Sequence, residues 1–391
     1  MLADIPLAGR VKKINPSPTL AITAKAKKMK SLGLDVIGLA AGEPDFDTPD
    51  FIKKAAIDAI EKGFTKYTPT TGTADLKKLI CEKFKKDNSL DYASDQIAVS
   101  CGAKHSIFNT LMALVGNGDE VLIPLPYWVS YPEMVRISDA KPVFIKTGAA
   151  NNFKFTSQDL KNSITPKSKV LILNSPSNPT GCVYTQEELA EIAKICVNNN
   201  IFVISDEIYE KIIFGRSKHI SIASLNSDIY SRTITVNGMS KSYSMTGWRI
   251  GYLGGPKEIV NSISKLQDHS TSNPASISQK AAEAALAHGE EFIDFMRGEF
   301  EKRRDYACER LEKIKNITYT KPEGAFYIFC DISRTRMDAS TFAGRLLEEA
   351  LIAIIPGEGF GSPNHIRISF AASIEHLKKS FDRIEGWMNK L

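Results

Sequence analysis

The chain has 391 residues, of which 43% are apolar and 24% charged, with a formal net charge of +5. That length exceeds what one hydrophobic core usually sustains, so two domains are expected, and the polar balance is that of an ordinary globule. The small net charge argues against nucleic acid as a partner, and the lysine-rich stretch 25–30 reads as a solvated helix face.

No apolar run approaches the ~20 residues of a membrane span, and no secretory pattern opens the chain. A cytoplasmic protein with no membrane partner is therefore expected. The six cysteines at 81, 101, 182, 196, 308 and 330 are scattered, with no C-x-x-C pair and no histidine at ligand spacing. They read as reduced thiols, with no metal site.

Taken in chain order, short apolar runs at 96–100, 120–124, 143–145, 170–173, 201–204 and 233–236 predict strands separated by helical patterns. Such alternation predicts an α/β fold with a mostly parallel sheet covered on both faces, and a ligand site at the carboxyl ends of its strands. Ser100-Cys101-Gly102-Ala103-Lys104 ends the first strand and opens a helical pattern over 105–115. Small residues at a helix start, with one cation, suit an anion. Small residues also precede helices that bind nothing. Trp128, taken by itself, reads as a core tryptophan. The turn Asn174-Ser175-Pro176-Ser177-Asn178-Pro179-Thr180-Gly181 sets the amide of Asn178 between two prolines, which suits an oxygen of a bound molecule.

Next, Val203-Ile204-Ser205-Asp206-Glu207-Ile208-Tyr209 ends a strand in an acid followed, three residues later, by a tyrosine. A buried carboxylate there could keep a pyridine nitrogen protonated, and the tyrosine could bond a phenolic oxygen. Asp206 could equally cap a following helix. The window from Ser240-Lys241 to Gly247-Trp248-Arg249 holds a lysine among small and hydroxyl residues, with an arginine eight positions on. A lysine that forms an imine must be neutral when it attacks, and an arginine can both lower its pKa and grip a phosphate. Lysine, acid and phosphate-binding groups together suit pyridoxal 5'-phosphate (PLP). Arg367 sits in an alternating strand pattern, where a buried charge is costly unless paired. The last ninety residues read as a separate α+β unit.

These segments, in this order, resemble the fold-type I PLP enzymes, specifically class I aminotransferases of the aspartate aminotransferase family and its bacterial Ib branch. Pro16-Ser17-Pro18-Thr19, Ala41-Gly42-Glu43-Pro44-Asp45-Phe46, Tyr67-Thr68-Pro69, Pro126-Tyr127-Trp128-Val129-Ser130-Tyr131, Gly324-Ala325-Phe326-Tyr327 and His365-Ile366-Arg367 extend the likeness across almost the whole chain. The resemblance implies a mostly parallel seven-stranded sheet in a large domain, plus a smaller α+β domain. Residues 1–45 would form an N-terminal arm and part of the small domain, 46–294 the PLP-binding domain, and 295–391 the rest of the small domain.

By the same resemblance, Lys241 is the catalytic lysine that holds the cofactor and moves the substrate's proton. Gly102, Ala103, Lys104, Trp128, Asn178, Asp206, Tyr209, Ser240 and Arg249 contact the cofactor, and Tyr67 reaches the cofactor phosphate of a neighbouring subunit in a homodimer with shared sites. Gly42, Trp128, Asn178 and Arg367 bind the substrate, Arg367 gripping its α-carboxylate and Lys104 the distal one. Aspartate and glutamate with their oxo acids are the implied substrates, in a ping-pong reaction. Asp268 stands in a loop where some relatives carry a cation. Asn15 stands where prephenate-using members carry a lysine, which argues against that substrate. An aromatic or broad-specificity aminotransferase is the nearest alternative, and a PLP-dependent lyase a more distant one.

Overall fold

The computed structural model describes residues 8–16 and 18–391, so Ser17 of the N-terminal motif lies outside the described residues. In chain order the strands are β1 (Ile37–Gly38), β2 (Ile97–Ser100), β3 (Glu120–Pro124), β4 (Lys141–Ile145), β5 (Ser168–Asn174), β6 (Phe202–Asp206), β7 (Thr233–Gly238) and β8 (Gly251–Gly254). They form one seven-stranded sheet in the order β2-β8-β7-β6-β5-β3-β4, with β1 outside it. All pairings are parallel except those of β8, which runs antiparallel to both neighbours.

The sequence explains the layering. Val170–Leu173 of β5 and Val203–Ser205 of β6 are buried throughout, as central strands covered on both faces must be. One face packs on Ile107 and Leu111 of the helix Ala103–Leu114 and on Ile259 and Ile263 of Lys257–Asp268; the other packs on Leu189 and Ile192 of Gln186–Asn198. Edge strand β4 is mostly solvated and begins with Lys141 and Pro142, a composition that discourages further pairing. The pattern did not reveal β8. Its glycines weaken the strand signal, yet Gly251 is what lets it lie where it does: a Cβ there would sit 2.0 Å from the Ala103 backbone nitrogen.

The C-terminal region contributes β9 (Thr318–Tyr319), β10 (Tyr327–Asp331), β11 (Ile352–Ala353), β12 (Ile355–Pro356) and β13 (His365–Ser369). A four-stranded antiparallel sheet, β12-β13-β10-β9, packs on Phe300, Phe342, Phe381 and Trp387 from three helices, Glu290–Glu312, Ala339–Ala350 and Ile374–Met388. β1 pairs in parallel with β11, Ile37 opposite Ile352, which joins the N-terminal segment to this region. The expected division at 294/295 falls inside the helix Glu290–Glu312.

Candidate active site

Register sets the floor of the site. Asn174 and Asp206, the last residues of β5 and β6, are direct partners, and Ser240 and Lys241 follow the end of β7. Asp206 is therefore the strand's terminal residue, and no helix follows for it to cap. Its Oδ1 instead accepts from the Ile208 N–H at 3.3 Å, an Asx-type turn that carries the chain away. Its Oδ2 accepts the Tyr131 hydroxyl at 2.6 Å. Burial raises the Asp206 pKa to about 6 against the lowering pull of these two hydrogen bonds and of Lys241.

A cavity of about 450 Å³ opens above this floor, lined by Gly42, Ala103, Lys104, Trp128, Asn178, Asp206, Tyr209, Ser240, Lys241, Arg249 and Arg367 among others. The expected site residues thus converge, apart from Gly102, just behind the lining, and Tyr67. Tyr67 is 91% exposed and away from the cavity of its own chain. Lys241 donates to the Gly42 carbonyl and lies 5.8 Å from the ring centres of Tyr209 and Phe326. Burial, then the positive field of Arg367, brings its pKa down to about 8, with Arg249 adding to the effect and Glu43 and Asp206 opposing it.

Arg249 has φ +55° and is fixed by its own Nη1 donating to the Thr246 carbonyl at 2.9 Å and its Nη2 to the Cys101 carbonyl at 3.3 Å. Gly102 has φ +87°, and a Cβ there would meet Arg249 Nη2 at 2.5 Å, so only glycine lets the guanidinium lie against the start of the helix Ala103–Leu114. The Ala103 and Lys104 N–H groups open that helix and have no partner among the described residues. Lys104 lies 4.9 Å over the Trp128 ring, its pKa lowered by burial and by Arg249.

Arg367 is 2% exposed and, among the described residues, faces no carboxylate. Its Nη1 donates to Asn178 Oδ1 at 2.9 Å and its Nη2 to the Ala40 carbonyl at 2.8 Å, while Nε has no partner among the described residues. Tyr327 and Phe360 sandwich it at 4.2 and 5.2 Å from their ring centres. Four cations, Lys104, Lys241, Arg249 and Arg367, share the cavity with two carboxylates, Glu43 and Asp206. Such an excess of positive charge in a partly desolvated pocket calls for anionic ligands.

Three contributors were not singled out from the sequence. Tyr131 backs Asp206; Tyr327 shares a 2.8 Å hydrogen bond with the Tyr209 hydroxyl; Asn174 donates to the Asp206 carbonyl at 2.9 Å and accepts from the Asn178 N–H at 2.8 Å. All three stood inside motifs already recognised. Asn15 donates to Glu133 from its backbone and side chain, at 3.1 and 3.3 Å, beside a second chamber of about 620 Å³ that shares Lys104 and Arg249 with the first. Asp268 accepts the Thr70 hydroxyl at 2.5 Å within its own chain.

A doubly covered sheet with a buried lysine at its carboxyl edge, and a helix start there whose N–H groups have no partner among the described residues, is the architecture of an α/β enzyme. The family described as aminotransferase class I and II matches residues 34–384, and the chain belongs to it. An aspartate aminotransferase from Bacillus sp. (strain YM-2) is 50% identical over 387 residues, covering 98% of this chain and 99% of that one. The crystal structure of the aspartate aminotransferase from Rhizobium meliloti superposes with a TM-score of 0.95 at 40% identity, covering 99% of this chain and 100% of that one. The Thermus thermophilus aspartate aminotransferase with maleate gives 0.94 at 39% identity, covering 98% and 99%. The fold-type I α/β architecture expected from the sequence is the one observed.

Proposed function

We propose that this aminotransferase moves the amino group of L-aspartate to 2-oxoglutarate, giving oxaloacetate and L-glutamate by a ping-pong route with PLP as cofactor. The observation that carries the reading is Arg367, a buried guanidinium without a counter-ion among the described residues, in the same cavity as Lys241 and a second cation, Lys104. A dicarboxylate supplies both missing charges.

The residues present fit PLP. When bound, the cofactor supplies an aldehyde that takes up the amino group and a ring that accepts the electrons released at the substrate's Cα. The helix start at Gly102, Ala103 and Lys104, together with Arg249 and Ser240, would hold its phosphate. Asp206 would sit at the ring nitrogen as a carboxylate, its charge supported by Tyr131. Trp128 would pack on the ring face, while Asn178 and Tyr209 would donate to the ring oxygen. Lys241 would anchor the cofactor covalently. With its pKa near 8, the freed amine can take the proton from Cα and return it elsewhere without a large driving-force penalty. Arg367, with Asn178 and the Gly42 backbone beside it, would fix the α-carboxylate so that the Cα–H bond faces Lys241.

A homodimer with shared sites is part of this reading. In its support, Phe51, Ile57 and Ile60 of the helix Asp50–Glu61 are 37, 53 and 51% exposed, and Tyr67 extends away from its own cavity. A discontinuous small domain of residues 1–45 and 295–391 is supported by the β1–β11 pairing. No helix among the described residues is long and apolar enough to cross a membrane, and we place the enzyme in the cytoplasm.

A second reading, broad specificity that includes aromatic amino acids, draws on the chamber beside Lys104, whose walls include Phe108, Tyr127, Met134 and Ile137. A half-reaction titration separates the two. Aspartate should convert the bound cofactor to its amino form, and 2-oxoglutarate should reverse it. Equal conversion by phenylalanine would favour the second reading, and no conversion by any amino acid would end both.

A further inference from the structure

The turn after β6 has two sides. Asp206, Ile208 and Tyr209 line the cavity, while Glu207 and Glu210, 1 and 7% exposed, belong to a polar cluster behind it. Glu207 is fully engaged: Oε1 accepts from Ser205 at 2.8 Å and Ser221 at 2.7 Å, and Oε2 accepts from Asn88 at 2.9 Å and His219 Nε2 at 2.8 Å. Glu210 accepts from Asn88 at 2.6 Å, pairs with Lys83 and lies 3.8 Å from His219 Nε2. Two groups thus reach both acids: the neutral amide of Asn88, which donates to each, and His219, which hydrogen-bonds Glu207 and lies within ion-pair distance of Glu210 and is the titratable one of the two.

Charge decides its form. Around it stand three carboxylates, Glu207, Glu210 and Asp87, and two ammonium groups, Lys83 and Lys211, which share Asp87 at 3.8 and 2.8 Å. Tyr243 and Tyr252 also feel Glu210, but burial keeps both phenols protonated. One acid is left unmatched unless His219 is an imidazolium. Its Nδ1 has no partner among the described residues, so a second ring proton is left unsatisfied there and its cost must be offset by the two acids at Nε2. Burial alone would lower the histidine's pKa; Glu207 and Glu210 outweigh it and raise the value above the ordinary ~6.5. His219, Glu207 and Glu210 could also enclose a metal ion, but the ammonium of Lys83 and the amide of Asn88 already occupy oxygens that a metal would need.

We propose that His219 is a positioning residue for the aminotransferase site: as an imidazolium it binds Glu207 and Glu210 together and thereby holds Asp206 and Tyr209 against the cavity. The inference rests on the PLP reading above for its effect on rate, but not for the charge state of the histidine. His219→Gln keeps a donor near Nε2 and removes the charge. In the holoenzyme it should lower kcat for aspartate on the order of tenfold to a hundredfold, the scale of a small misplacement in a catalytic constellation, with much less change in KM. It should also flatten the alkaline fall of kcat that loss of the His219 proton is expected to cause in the wild type. Adding Glu207→Gln to His219→Gln removes the unmatched negative charge, and the double variant should regain most of the lost kcat.

Nitrogen NMR of the histidine side chain gives a readout independent of activity: His219 in the wild type should carry two ring protons at neutral pH. A neutral ring there would overturn the proposal, even if the substitution prevented folding or the enzyme proved not to be a transaminase. So would a His219→Gln enzyme with unchanged kcat and pH profile but a lowered melting temperature, because that result marks a purely structural histidine. No recovery in the double variant would also overturn it.

Discussion

Tyr131 donates its hydroxyl to Asp206 Oδ2 across 2.6 Å, in a place where both side chains are almost wholly buried. Nothing else holds that oxygen among the described residues. Burial pushes Asp206 up to about 6, and the Tyr131 bond is the largest influence opposing it. The pair sets how much of Asp206 is ionised at neutral pH, and an ionised Asp206 is what a protonated ring nitrogen requires.

Tyr131→Phe should therefore weaken both cofactor retention and turnover. A hydrogen bond to a charged group contributes roughly 1.5–3 kcal/mol, which corresponds to a loss of about tenfold to a hundredfold. Cofactor dissociation measured by equilibrium dialysis, alongside kcat, checks it. Because the loss arises from a raised Asp206 pKa, it should be greatest below about pH 6 and shrink as the pH rises. A uniform loss at all pH values would disprove this cause.

Arg367 keeps two hydrogen bonds to neutral oxygens and leaves Nε without a partner among the described residues. Arg367→Lys replaces a planar fork by a point charge, so paired recognition of a carboxylate is lost. The apparent KM should rise by roughly tenfold or more for aspartate and phenylalanine alike, since both present the same α-carboxylate. Steady-state kinetics with the two substrates is the check, and a rise confined to aspartate would move Arg367 to the distal end.

Lys104 stands at the junction of the two chambers, stacked on Trp128. Lys104→Ala should raise the KM for aspartate and glutamate by about tenfold, as loss of a charge-assisted bond implies, while leaving phenylalanine within about twofold. Measuring the three values on one preparation removes differences in active fraction. Equal losses would show that Lys104 serves the phosphate instead of the substrate.

The parts legible in the sequence were those fixed by local chemistry. Lys241, Asp206 and Asn178 stand at strand ends marked by small residues, prolines or an acid, and the strand pattern placed them on one edge of the sheet before any contact was known. Tyr131 and Tyr327 were not assigned because their partners lie 75 and 118 positions away, and a tyrosine inside an aromatic run reads as core until its hydroxyl has an address. β8 stayed hidden because Gly251 and Gly254 remove the apolar alternation, while Gly251 admits the backbone at Gly102–Ala103 and Gly254 the ring of Tyr92. The β1–β11 pairing joins Ile37 to Ile352 through two residues a side, too short a match for any periodicity to announce.

Lys241 gives a prediction about the protein without its cofactor. Its pKa is about 8 in the folded chain and ~10.4 when unfolded, so the folded state binds fewer protons between those values. The sign follows directly: the apoprotein should gain stability from Lys241 as pH rises from about 8 towards ~10.4, and that contribution should be lost as pH falls through the folded value. Lys241→Met has no such proton and should flatten this part of the curve relative to the wild type. Urea midpoints of both apoproteins across this range test it. The same variant, supplied with PLP, should lack the visible absorption band of a covalently held cofactor and should not convert aspartate. A variant that keeps the band would place the anchoring lysine elsewhere, and an unchanged stability curve would show that the buried ammonium has a counter-ion beyond Asp206 and Glu43.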